Sequence, residues 1–290
     1  MCELEIILKT ISNCIIKISN NIRIFNPVIL GSVIGSENSS GEEVKKLDIF
    51  CNELIINNLS KLSFIKHIAS EEEENLLLIN KNGKYLISFD PLDGSSNIDC
   101  NILIGTIFCV FEYKNDKITD GKNIVMSGYS LYGGSTQLIV CKNKNTCIYN
   151  LNPQNNTWNL MYENYIMNEK GSIYSINEAN KYDNSIRLYT NLLIENNYSA
   201  RWVGSLVADF HRTLLKCGIV MYPGNTKNIN GKIRLVYEAY PLAYIIENSN
   251  GKSSNGVNSI LNIDFPNENI HKRVPIYYGS NYEMKLLEFK

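Results

Sequence analysis

The chain has eight cysteines and three histidines but no C-x-x-C pair and no H-x-x-x-H, so it lacks the ligand spacing of a structural zinc site. It has no apolar run near the roughly 20 residues that a bilayer crossing needs. Met1-Cys2-Glu3-Leu4-Glu5 has neither the basic start nor the uniform apolar stretch of a secretory leader, and its early acids argue against a transit peptide. A net charge of −1 gives no basic field, which excludes nucleic acid and an anionic membrane surface as partners. Neither G-x-x-x-x-G-K-[ST] nor G-x-G-x-x-G in a strand-to-helix context occurs, so the familiar nucleotide cradles are absent. These absences predict a cytoplasmic protein with reduced thiols. Cys141 and Cys147, flanking a predicted hairpin, are the one pair placed for oxidation.

What remains is an ordinary globular composition, 44% hydrophobic and 20% charged over 290 residues. Leu4, Ile7, Leu8, Ile11, Ile15 and Ile18 recur at helical spacing. A Gly/Ser/Asn-rich stretch, Gly31 to Gly41, predicts a mobile loop. Ser40-Gly41-Glu42-Glu43 then reads as a capping box opening a second helix with the stripe Val44, Leu47, Cys51, Leu54, Ile55, Leu59 and Leu62. Strand patterns cover residues 85–89, 102–111, 126–132, 137–141 and 146–149, the second continuous enough to be buried on both faces. Beyond residue 166 come strand 172–176, a helix through Leu206, Phe210 and Leu214 closed by Gly218, strands 219–222 and 232–237, and a helix over 242–247. Mixed helices and strands without long linkers predict an α/β fold of two abutting subdomains, 1–165 and 166–290.

The chemistry concentrates in Asp90-Pro91-Leu92-Asp93-Gly94-Ser95-Ser96, at the end of the apolar run 85–89. Carboxylates, a carbonyl and a flexible turn of N–H groups suit divalent cations held against a phosphate, although an Asp/Pro/Gly turn has the same composition. Ser70-Glu71-Glu72-Glu73-Glu74 reads alone as a solvated charge run. It follows the apolar stretch 64–69, however, so its first members also sit at a strand end. Four carboxylates from Glu71, Glu72, Asp90 and Asp93 in one cleft repel unless cations neutralise them. Hard oxygen ligands of this kind select Mg²⁺ or Mn²⁺. Such carboxylates beside an N–H nest at Gly94, Ser95 and Ser96 point to phosphate-ester hydrolysis.

Ser70-Glu71-Glu72, Phe89 to Asp99, Gly128-Tyr129-Ser130-Leu131-Tyr132-Gly133, Tyr174 to Glu178, Ala200 to Asp209 and Gly231 to Glu238 together resemble the fructose-1,6-bisphosphatase family, in order over nearly the whole chain. The resemblance implies a layered α-β-α-β-α sandwich with mixed sheets and packed helices. It implies hydrolysis of the 1-phosphate of fructose 1,6-bisphosphate by a metal-activated water. Two or three Mg²⁺, replaceable by Mn²⁺, fall to Glu71, Glu72, Asp90, the Leu92 carbonyl, Asp93 and Glu238. Asp48 paired with Glu72 matches the general base. Gly94, Ser95 and Ser96 match the 1-phosphate grip, and Asn177, Tyr222 and Lys232 the sugar and 6-phosphate site. Arg201 matches an arginine shared across subunits of a homo-oligomer, by analogy a tetramer. Arg234 resembles a further cleft arginine, and His211 reads as a structural helix residue. A sedoheptulose-1,7-bisphosphatase or dual-specificity enzyme is the nearest alternative. An inositol monophosphatase fits less well, because it needs no 6-phosphate pocket, and a dead relative less well still, because the metal carboxylates remain.

Three positions depart from the resembled pattern. Glu42 stands in place of Asp, and Trp202 and Asn180 in place of Tyr, which implies weaker 6-phosphate binding or an altered substrate range. Lys84 and Tyr85 match part of an AMP site. The chain starts almost at the first helix, with Glu3 and Glu5 near where a phosphate would bind, so weak or absent AMP inhibition is expected.

Overall fold

A computed structural model describes residues 1–24, 32–37, 43–177 and 182–288. The expected first helix is α1 (Glu3–Ile24), with Glu3 and Glu5 in its first turn and Arg23 in its last, each favourable to the helix dipole. Its stripe of Ile7, Ile11, Cys14, Ile15 and Ile18 is buried. Val33–Glu37, inside the loop predicted from Gly31 to Gly41, forms β1 and pairs with β2 (Glu43–Lys45). That pairing corrects the predicted helix start. Ser40, Gly41 and Glu42 lie outside the described residues, and Val44 belongs to a strand. The helix α2 (Lys46–Leu59) begins at Lys46, where Asp48 accepts the Lys45 backbone N–H at 2.9 Å. Asp48 thus supplies the N-terminal cap interaction that the sequence reading gave to Ser40 and Glu43.

The larger sheet contains β3 (Ile65–Ser70), β4 (Leu77–Leu78), β5 (Tyr85–Asp93), β6 (Ile104–Glu112), β7 (Ile124–Tyr132), β8 (Thr136–Lys142), β9 (Asn145–Asn152) and β10 (Thr157–Tyr162). They run in the order β10-β9-β8-β7-β6-β5-β3-β4. Only β3 and β5 pair in parallel; the other neighbours are antiparallel. The edge strand β10 was not expected, because its exposed face leaves no clean alternation. The second sheet contains β11 (Ile173–Ile176), β12 (Ser199–Ala200), β13 (Ile219–Tyr222), β15 (Gly251–Ser254) and β17 (Ile276–Ser280), ordered β12-β11-β13-β17-β15. Between β13 and β15 in the chain, β14 (Ile233–Arg234) pairs with β16 (Arg273–Val274) as a separate ribbon. The predicted strand 232–237 is therefore wrong after Arg234. Leu235–Ala239 makes a π-helical turn that runs straight into a helix, Tyr240–Glu247. All five of its residues are buried, and a short apolar run of this kind looks the same for a buried strand and a buried helix.

The remaining helices are α3 (Asn184–Glu195), α4 (Leu206–Lys216), α5 (Tyr240–Glu247) and α6 (Asn281–Glu288). Side-chain alternation sorts the core into layers. Ile87, Phe89, Phe108 and Val110 face α1 and α2. Leu86, Ile107, Cys109, Phe111 and Tyr129 face the opposite way, onto α4 and α5, which also receive Val220, Tyr222, Ile276 and Tyr278 from the second sheet. Ile219, Met221 and Tyr277 turn outward beneath α3 and α6. The result is the α-β-α-β-α sandwich, with α4, the π-turn and α5 as its middle layer. Cys141 pairs with Thr146 and Val140 with Cys147 across β8 and β9. Adjacent residues point to opposite faces, so Cys141 and Cys147 are not poised for a disulfide, which corrects that expectation.

Ile15 is fully buried between α1 and the larger sheet. Ile15→Ala is expected to destabilise the fold by about 2–5 kcal/mol, read as a lower urea midpoint at unchanged slope.

Candidate active site

The parallel pairing of β3 with β5 sets Ser70 beside Phe89, and the Glu71 N–H donates to the Phe89 carbonyl at 3.2 Å. The acidic run therefore leaves β3 beside the D-P-L-D motif, which stays paired with β6 to Asp93. A bulge between Asp90 and Asp93 lets three steps along β5 face two along β6, since Asp90 pairs with Ile107 and Asp93 with Gly105. The extra residue turns Asp93 to the face that carries Asp90, toward the middle layer. There the π-turn presents Glu238. One carboxylate oxygen from each of Asp90, Asp93 and Glu238 lies within 4.8 Å of the others, and all three residues are buried.

Each carboxylate has local support. Asp90 accepts the Leu92 N–H at 2.8 Å. Asp93 accepts the Ser205 hydroxyl at 2.6 Å and the Val207 N–H at 2.9 Å, at the start of α4. Glu238 accepts the Arg234 backbone N–H at 2.6 Å. The Arg234 guanidinium stands 3.1 Å from Glu71 and 3.8 Å from Glu238, with its side chain buried. This compensation is incomplete. Burial, then Glu71, Asp93 and Glu238, push the Asp90 carboxyl well above its ordinary range. Burial raises Asp93 to about 6 against the Ser205 and Val207 hydrogen bonds. Burial raises Glu238 to about 8, opposed by Arg234 and aided by Glu71 and Asp93. A cluster of hard oxygens that resists ionisation when empty fits a divalent cation, which would neutralise it.

Gly94 turns the chain with φ +81° into a short 3₁₀ turn, Ser95–Asn97. A Cβ at Gly94 would stand 2.7 Å from the Ser205 Cβ, so only glycine fits this approach of β5 to α4. The cavity above has a volume of about 550 Å³. Glu71, Asp90, Leu92, Asp93, Gly94, Ser95, Ser96, Asn177, Tyr222, Lys232 and Glu238 all line it, as does Trp202. The Trp202 ring sits 5.5 Å from Tyr222, tilted by 42°.

Three expected residues lie off the lining. Asp48 is buried at the first turn of α2, Glu72 donates its N–H to the Ser70 hydroxyl at 3.3 Å, and Arg201 is exposed with its guanidinium on the Ala200 carbonyl. Lys84 pairs with Glu3 at 2.5 Å and lies over the Tyr85 ring. His211 is half-buried against the Tyr129 hydroxyl at 2.9 Å, and desolvation lowers it to about 4, as suits a structural residue. Glu42 and Asn180 lie outside the described residues. Lys45, Ser205 and Arg273 line the cavity without having been singled out. Ser205 was findable as the cap before an apolar helix. Lys45 and Arg273 carry no local signal, because the β1–β2 and β14–β16 ribbons bring them in.

Residues 1–163 match the family described as fructose-1-6-bisphosphatase, N-terminal domain, and residues 167–289 its C-terminal domain. The class 1 fructose-1,6-bisphosphatase of Sulfurihydrogenibium is 41% identical over 93% of this chain and 86% of its own. Fructose-1,6-bisphosphatase 1 of Rattus norvegicus is 39% identical over 98% of this chain and 82% of its own. The crystal structure of Leishmania major fructose-1,6-bisphosphatase in holo form superposes with a TM-score of 0.92 at 34% identity, over 97% of this chain and 92% of that one. Fold and relatives define a phosphatase. The chain belongs to the fructose-1,6-bisphosphatase family.

The raised carboxylates give a signed pH effect. A group whose folded pKa exceeds its unfolded value stabilises the fold below the unfolded pKa, and that stability is lost as pH rises through the folded pKa. Between about pH 4 and about pH 8, Asp93 and Glu238 should lower the melting temperature of the metal-free protein as pH rises. Melting curves with and without a divalent cation check this, and stabilisation by a bound cation should grow with pH, because binding at these carboxylates would displace their protons.

Proposed function

We propose that this chain hydrolyses the 1-phosphate of fructose 1,6-bisphosphate through Mg²⁺, with Mn²⁺ able to substitute, held by Glu71, Glu72, Asp90, the Leu92 carbonyl, Asp93 and Glu238. The observation that carries this reading is the buried trio Asp90, Asp93 and Glu238 sharing one cavity with the Gly94–Ser96 turn. Bound cations supply Lewis-acid charge and acidify a water. Ser95 and Ser96, with the N–H groups after Gly94, hold the 1-phosphate oxygens. Asp48 with Glu72 takes the proton from the attacking water. Asn177, Tyr222 and Lys232, which line the same cavity, receive the sugar and its 6-phosphate.

On this reading residues 1–165 carry the metal and 1-phosphate and residues 166–290 the sugar, in a cytoplasmic homo-oligomer, a tetramer by analogy, that places Arg201 in a neighbour's site. Its exposed guanidinium, resting on its own Ala200 carbonyl, is compatible with that role. Among the described residues no helix is long and apolar enough to cross a membrane.

Phosphate release from fructose 1,6-bisphosphate should require Mg²⁺ and fall by at least about 10²-fold in Asp90→Asn. Mg²⁺-independent release would overturn the metal reading. Trp202 packing on Tyr222 reshapes the distal end, so kcat/KM for sedoheptulose 1,7-bisphosphate is the sharpest specificity measurement. It should be at least about tenfold below that for fructose 1,6-bisphosphate, and parity would establish dual specificity. We further propose that AMP inhibits weakly, because Glu3 already occupies Lys84. Micromolar AMP should leave the rate unchanged.

A further inference from the structure

The proposed metal ligands come from separate parts of the chain. Glu71 and Glu72 follow β3, while Glu238 sits on the π-turn beyond β14. On the cavity side Arg234 bridges them. A second bridge lies behind the site. His271, just before β16, points one ring nitrogen at the π-turn and the other at the acidic run. Its Nδ1 is 2.6 Å from the Tyr237 hydroxyl, and its Nε2 is 3.1 Å and 3.3 Å from the carbonyl oxygens of Glu73 and Glu74. Carbonyls only accept, so Nε2 carries the hydrogen. In the neutral ring Nδ1 then accepts the Tyr237 hydroxyl proton. The two rings meet edge to face at 5.8 Å.

The acidic run is held from its other side as well. The Asn52 amide donates to Glu73 at 2.8 Å, the Ser70 hydroxyl donates to Asn52 at 2.7 Å, and the Glu72 N–H donates to Ser70. Glu73 and Glu74 are thus anchors for Glu71 and Glu72, one through its side chain and both through their carbonyls. His271 thereby joins those carbonyls to the turn bearing Glu238.

We propose that His271 is a positioning residue. It fixes the distance between the Glu71–Glu72 segment and Glu238 by clamping the Glu73 and Glu74 carbonyls to the Tyr237 hydroxyl. Outer partners of this kind commonly govern metal affinity by about 10–100-fold. The proposal rests on the metal reading above, and its test separates the two. Mn²⁺ binding to the whole chain, followed by the electron paramagnetic signal of the unbound ion, needs no substrate and no turnover. Tyr237→Phe removes one hydroxyl from a buried ring, and His271→Ala removes the clamp. Each is expected to weaken Mn²⁺ binding by about 10–100-fold and to raise the metal concentration for half-maximal rate equally. kcat at saturating metal and KM for substrate should stay near wild type. The double variant should be no weaker than His271→Ala, since both remove one coupling. His271→Gln, which keeps a donor toward Glu73, should recover part of the affinity. Unchanged Mn²⁺ affinity in variants that merely melt earlier would overturn the positioning role. No Mn²⁺ binding by the wild-type chain would instead overturn the metal reading, and this inference with it.

Discussion

The costliest feature of this fold is the burial of Asp90, Asp93 and Glu238 against one another, with Glu71 close behind. Moving even one carboxylate out of water costs several kcal/mol, and like charges at this range add to it. The surrounding structure is arranged around that penalty. The bulge in β5 brings Asp93 round, the start of α4 gives it a hydroxyl and an N–H, and Arg234 stands between Glu71 and Glu238. Arg234 leaves the cluster short of compensation, since Asp90, Asp93 and Glu238 all stay raised beside it. The deficit is the physical reason to expect cations, and it is stronger than the mere presence of acidic residues.

The π-turn makes this geometry possible. Its wider winding lets successive residues serve different neighbours. The Val236 carbonyl accepts the Ser88 hydroxyl at 2.8 Å, Tyr237 meets His271, and Glu238 turns to Arg234. Ser88 lies two residues before Asp90 on the same face of β5, so this contact sets the turn against the strand beside the carboxylate it must meet. Continuing β14 as a strand to Tyr237, as its apolar pattern suggests, would alternate Tyr237 and Glu238 to opposite faces without this registry.

What the sequence made legible follows from how local each signal is. The stripe of α1 and the doubly buried β6 are readable because periodicity acts over a few residues, whereas the apolar run 85–89 gave no sign that β5 continues through Asp90 to Asp93. The start of α2 was misread because Ser40 to Glu43 carries a capping pattern, while the helix actually begins where Asp48 caps Lys45. The apolar run into Glu238 was misread because burial on all sides erases the difference between strand and helix. Lys45 and Arg273 were invisible as cavity residues, since ribbons closed over long sequence separations deliver them. The family resemblance supplied what locality could not, naming Asn177, Tyr222 and Lys232 for a cavity that they do line.

The residues lining that cavity differ in how tightly they are built in, and this bears on where the chain departs from its family. The acidic groups are buried and each is held by a hydrogen bond or ion pair, so changing one leaves a desolvated partner behind. Trp202, by contrast, is 47% exposed and leans on Tyr222 rather than being enclosed. A half-exposed ring can change identity at little cost to the fold, because solvent takes up the difference in volume. Trp202 is one of the departures from the resembled pattern, whereas Glu71, Asp90, Asp93 and Glu238 are retained. The fold constrains the buried carboxylates tightly and leaves the Trp202 face of the cavity free to vary.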